Sequence, residues 1–176
     1  MVQVLTGAQS FDSFPALHSA QRSPSDVLQG WMVLVPQVTV AAELLAISYA
    51  VEAARYELEA FASYDRAASW LASGTLQTVT FALSWFESMH YGFWRAWWNW
   101  QQASSWLTKY GDPAPEKPYT HLLADSLSQQ QRFLQLGEGL RQLVAWLCHE
   151  WQVAVPETLK DGWPTEETGA SSTDEA

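Results

Sequence analysis

Residues 81–106 read FALSWFESMHYGFWRAWWNWQQASSW, and the reading of this stretch decides the fold. Six of the chain's 11 tryptophans lie in it (Trp85, Trp94, Trp97, Trp98, Trp100 and Trp106), with Trp70 just upstream. Its apolar side chains recur at helical spacing. Trp85, Met89, Phe93, Trp97 and Trp100 form one stripe, and Phe86, His90, Trp94 and Trp98 form a second. Together the two stripes cover most of a helix circumference. A helix apolar nearly all round is buried in a bundle, in an oligomer, or against a non-protein apolar phase. The stretch holds one His, one Glu and one Arg and neither Cys nor Asp, so it offers surface rather than catalytic groups.

Working outward, the helical period continues on both sides. The spacing predicts a helix over Leu76–Tyr110. Upstream, Leu44, Ile47, Val51, Ala54, Leu58 and Phe61 alternate by three and four residues, which predicts a helix over Gln37–Ser73 with that row as a coiled-coil-like seam. Glu52, Arg55 and Glu59 fall on its outer side, with Arg55 and Glu59 as an i, i+4 pair of opposite sign. Gly74 between the two helices reads as a tight turn or a kink in one bent helix. Downstream, GDPAPEKP at 111–118 is a linker, because Gly111 suits a helix C-cap and three prolines forbid continuation. Thr120 then caps a last helix running to about Val153. Leu123, Leu127, Leu134, Val144, Leu147 and Trp151 lie near one face of that helix, with Leu136, Leu140 and Leu143 beside it. The run VLQGWMVLV at 27–35 reads as a short helix capped by Ser25 or Asp26 and ended by Pro36, with a strand as the other option.

The expected fold is all-α, with three to four amphipathic helices as a bundle or an extended helical hairpin. The expected organisation is an irregular leader over 1–26, a helical domain over 27–155 and a disordered acidic tail over 156–176. Trp163 in that tail reads as a stray aromatic, with a short anchoring motif as the alternative.

Composition narrows function. Charged residues make up 16% of the 176, against roughly 25% in an ordinary globular chain, so the surface suits packing on a partner or an apolar support. The net charge of −10 disfavours nucleic acid and anionic lipid, since no Lys/Arg patch exists to meet phosphates. The single cysteine, Cys148, allows no intrachain disulfide and fits a cytoplasmic setting. Residues 31–51 and 67–86 are apolar but interrupted, and neither reads as a spanning helix.

Motifs for chemistry are missing. The histidines, His18, His90, His121 and His149, form no HxxxH or HExxH, and Cys148, His149 and Glu150 are consecutive, so on a helix they diverge. No GxSxG, GxxxxGK[ST] or strand-borne GxGxxG is present. Glu57 and Glu59 face apart. Arg95 among Trp94, Trp97 and Trp98 makes cation–π stacking available, more naturally as interhelix packing than as a ligand cage. The expectation is therefore no enzyme, no cofactor and no metal.

The segment AAELLAISYAVEAARYELEAFASYDRAASWL, followed by the amphipathic stretch to Trp106, resembles the long helices of phasins, the small proteins that coat polyhydroxyalkanoate storage granules. The resemblance spans roughly residues 40–106. It implies a cytoplasmic, granule-associated helical coat, often oligomeric, with Trp85, Phe86, Phe93, Trp94, Trp97, Trp98 and Trp100 as contacts to the hydrophobic granule surface. The alternative from the residues themselves is a helical protein–protein subunit, a homo- or hetero-oligomer that meets its partner through the same tryptophans. A third reading, an enzyme with a helical pocket for an apolar ligand, rests on His90 beside Tyr91 and Trp94.

Overall fold

The computed structural model describes residues 23–38, 40–111 and 119–163. Among them are four α-helices and no strand, so the fold is all-α. Helix α1 spans Pro24–Leu34, α2 spans Ala41–Leu71, α3 spans Leu76–Tyr110 and α4 spans Tyr119–Trp151. Short 3₁₀ turns follow at Val35–Gln37 and Glu157–Leu159.

The starts of the helices follow local chemistry. Ser23, rather than Ser25 or Asp26, caps α1, exchanging hydrogen bonds with Asp26 in a capping box, with Pro24 in the first turn. Thr75 caps α3 through Thr78 in the same way. The break between α2 and α3 is a tight turn, not a kink. Gly74 takes φ 62°, a left-handed conformation open to glycine at no steric cost. Helix α4 opens at Tyr119, so Thr120 lies inside it instead of capping it. The linker prolines lie outside the described residues.

Helix α3 is the centre of the molecule, packed antiparallel between α2 and α4. The face α2 turns to it corrects the expectation. Of the expected seam, Ala54 is buried and Ile47 and Phe61 pack against the core, but Leu44, Val51 and Leu58 are 54%, 50% and 65% exposed. The buried face is instead a seam of small residues: Ala42, Ala46, Ala50, Ala53, Ala60 and Ala67, ending at Leu71. The reason is distance. Small side chains let two helices close in, and a Cβ placed on Gly92 of α3 would lie 2.8 Å from Ala60 Cβ and 3.1 Å from the Tyr56 carbonyl oxygen. Large α3 side chains such as Phe86, Met89 and Phe93 then fill the space beside this seam.

Helix α4 keeps most of the expected face: Leu136, Leu140, Leu143, Val144 and Leu147 are buried, joined by Leu122 and Phe133, while Leu127 and Leu134 of the expected row are exposed. Phe133 meets Phe93 with ring centroids 6.0 Å apart, and Phe93 meets Phe61 of α2 at 5.6 Å. Trp31 of α1 is buried edge-on against Trp100 at 5.3 Å, and its indole N–H donates to Asp125 of α4 at 2.8 Å. A buried ion pair, Arg132 Nη2 to Glu57 Oε1 at 2.6 Å, ties α4 to α2.

Packed residues continue past 155 as far as Trp163 among the described residues. Gln152 takes φ 52° and turns the chain off the end of α4. Residues 153–163 then run back as a strap over α3 and α4, anchored by Leu159, which is 2% exposed, and by Trp163. The leader as far as residue 22 and the tail from residue 164 lie outside the described residues.

Candidate functional site

Three surfaces compete for the role of site: the aromatic belt of α3, the cleft under the strap, and the outward row of α2.

The belt is mostly interior. Phe86, Phe93, Trp97 and Trp100 are buried by the chain's own helices and strap, so contact with an outside surface would require the bundle to open. Trp85, Trp94 and Trp98 are half-buried at its margin. Arg66 stacks over Trp85 with its guanidinium 4.7 Å from the ring centre. Arg95 sits among Tyr56, Trp94 and Trp98 at 5.1, 5.8 and 5.3 Å. The cage suggested by the sequence is thus occupied by the chain's own cation and knits α2 to α3. Tyr56 completes it in place of Trp97, which packs on Trp163 instead, at 6.0 Å.

The strap forms a cleft on the other side of α3. Glu87, His90, Tyr91 and Trp94 of α3 and Glu157, Thr158, Asp161, Gly162 and Trp163 of the strap enclose about 390 Å³. Trp163 lies on the bare backbone of Gly137, where a Cβ would collide with the indole. The same ring meets His90 at 5.6 Å. Thr158 donates to Glu87 Oε1 at 2.6 Å and fastens the strap to α3. His90 is 7% exposed, and its Nε2 has no hydrogen-bond partner. Burial, aided by the charge of Arg141, lowers its pKa to about 4, so the ring is neutral at pH 7. His90, Tyr91 and Trp94 were adjacent in the sequence reading. The strap residues that complete the cleft fall in the stretch expected to be a tail, where Trp163 is the one marker in the sequence.

The remaining chemistry-bearing groups stand apart. Glu57 is buried against Arg132, and burial raises its pKa against the pull of that arginine. Glu59 faces solvent and pairs with Arg55 at 3.1 Å. Cys148 is buried, its thiol pKa raised by burial, and its Sγ donates to the Ala154 carbonyl at 3.7 Å. Among the described residues no three His, Cys, Asp or Glu side chains are grouped to hold a metal, and no helix is long and apolar enough to cross a membrane.

The third surface is the face of α2 turned away from the alanine seam. Leu44, Val51 and Leu58 are seven residues apart and form one exposed line, with Ile47 and Phe61 half-buried beside it. Glu52, Arg55 and Glu59 form a linked ion-pair network along the same exposed side. The chain matches no family model, no curated protein and no solved structure.

Proposed function

We propose that the chain is a non-enzymatic helical interaction subunit that pairs with a second copy of itself through the outward row of α2. The observation that supports it is the exposure of Leu44, Val51 and Leu58 in one line at heptad spacing. An antiparallel pairing about Val51 sets Leu44 of one copy against Leu58 of the other, so the row is complementary to itself, as a two-fold interface requires. The tryptophans serve this reading by holding α2 rigidly against α3. Sedimentation velocity on the full chain tests it. The expected result is a dimer, and Leu58→Asp is expected to give a monomer with unchanged helix content. Because each copy carries −10, the dimer is expected to tighten as salt is added. A native chain that stays monomeric at high concentration would overturn the reading.

A second reading keeps the granule coat but moves its contact residues. Trp70, Leu76 and Phe81 are 41%, 55% and 45% exposed at the tip of the α2–α3 hairpin, with Trp70 and Phe81 packed at 5.0 Å. No charged residue occurs from Ala67 to Phe86. An uncharged tip bearing Trp, Leu and Phe suits a neutral apolar surface such as a polyester granule. Co-sedimentation with polyhydroxyalkanoate particles that is lost in Trp70→Ser/Phe81→Ser and kept in Leu58→Asp would favour the coat over the dimer.

A further inference from the structure

We propose that the cleft under the strap binds a small organic ammonium ion, with an aryl or short alkyl body held between Tyr91, Trp94 and Trp163 and its N–H groups directed to Glu87, Asp161 and His90. The site lies on α3 and the strap, away from the α2 row, and is independent of the pairing proposed above.

Four observations converge on a cation. Every charged side chain lining the cleft is acidic: Glu87, Glu157 and Asp161. Two cations stand at its rim: Lys160 pairs with Glu157 of the lining and Arg141 pairs with Glu138, which leaves Glu87 and Asp161 without a paired cation among the described residues. The walls are aromatic faces, whose quadrupoles attract a cation. Finally, the Nε2 of His90, a group 93% buried by its 7% exposure, lacks any partner. An unpartnered buried nitrogen of this kind is destabilising until something bonds to it. With its proton on Nδ1 the neutral imidazole accepts at Nε2, and a ligand N–H would supply that bond. The volume of about 390 Å³ lies at the lower end of small-molecule sites, which run from roughly 300 Å³ upward.

The alternatives fit less well. Phosphates and carboxylates would meet three acidic side chains. A neutral apolar ligand would fill the walls yet leave the His90 nitrogen unpaired and desolvate the carboxylates. A quaternary ammonium would satisfy the rings and the charges but has no N–H for His90. The expected order is therefore protonated amine first, quaternary ammonium second and neutral alcohol last.

Isothermal titration of the full-length chain at neutral pH tests this with three probes: 2-phenylethylamine, benzyltrimethylammonium and 2-phenylethanol. The amine is expected to bind at one site per chain, about tenfold or more tightly than the alcohol. Glu87→Gln/Asp161→Asn is expected to weaken the amine by about tenfold or more, with helix content unchanged, because glutamine can still accept from Thr158. His90→Phe is expected to weaken the amine and leave benzyltrimethylammonium as it was, a split that general loosening of the strap would not give. Absence of amine binding to the native chain, equal binding of amine and alcohol, or full affinity in the double carboxamide variant would each overturn the proposal.

Discussion

The two flanks of α3 solve the same packing problem in opposite ways. Toward α2 the interface is built from alanines and Gly92, so the helices approach until almost nothing can be added. Toward α4 the interface is filled by large rings, Phe93 on Phe133 and Trp100 on Trp31, and crossed by polar bridges such as Gln130 to Ser104 at 2.8 Å. Small residues gain close backbone contact with little area per side chain, while large ones gain area at a greater separation. The consequence reaches the surface. Because α2 turns its alanines inward, Leu44, Val51 and Leu58 are left outside, and the exposed row exists for that reason.

The contrast is broken most severely by removing bulk from the α4 flank. Phe133→Ala is expected to cost about 3–5 kcal/mol, because a fully buried ring leaves a cavity. Phe133→Leu should cost far less, roughly 1.5 kcal/mol or below. Chemical denaturation measures both, and a small loss in the alanine variant would show this flank to be loosely packed.

The ion pair that joins α2 to α4 tests whether the two flanks are coupled. Glu57→Leu alone strands Arg132, whose Nε and Nη1 already lack partners, and is expected to cost about 3–5 kcal/mol. The double replacement Glu57→Leu/Arg132→Leu should recover most of that loss. Equal losses in the single and double variants would mean that the pair contributes geometry rather than compensation of charge.

Acid sharpens the same comparison at the strap. His90 is neutral in the folded chain down to about pH 4, whereas in the unfolded chain it takes up its proton near pH 6.5. Between these values the unfolded state binds more protons, so stability falls as pH falls, by up to ~3 kcal/mol from this residue. Glu57, with its raised pKa, acts in the other sense, since its protonation is favoured in the folded state. Urea midpoints at pH 7 and pH 5 should show a smaller drop in His90→Phe than in the native chain.

Adding bulk to the α2 flank is the mildest break. Gly92→Val is expected to cost about 1–3 kcal/mol, since Ala60 and the Tyr56 carbonyl cannot both move away. Such a substitution at an exposed position of α2, for example Ser48→Val, should change stability by less than about 0.5 kcal/mol.

Much of the fold was legible in the sequence. The helical period and the punctuation by Gly74 and Gly111 located the three long helices to within a few residues, because period and breakers are local properties. Which face of α2 is buried was legible only in part: Ile47, Ala54 and Phe61 of the expected row do lean on the core, but hydrophobicity ranks Leu above Ala, and Gly92 of α3 makes the alanine side of that row the one that fits. Long-range complementarity of this kind is invisible along a single helix. The same holds for the site. His90, Tyr91 and Trp94 could be grouped on α3, but the strap depends on Gln152 turning the chain back and on Gly137 receiving Trp163, two residues with no pattern in common. The stacking of Arg95 on Trp94 and Trp98 is legible because these residues are neighbours on one helix, whereas Tyr56 of α2, which takes the place expected for Trp97, is not.

The central claim is that α2 turns its alanines inward and offers Leu44, Val51 and Leu58 to a second copy. Mild oxidation of Val51→Cys tests it most directly, since the native Cys148 is buried and silent. Antiparallel pairing brings the two engineered thiols together at the two-fold axis. The expected result is rapid formation of a covalent dimer, with Leu134→Cys on α4 remaining monomeric. A Val51→Cys chain that stays monomeric under the same oxidation would contradict the pairing of two copies along this row.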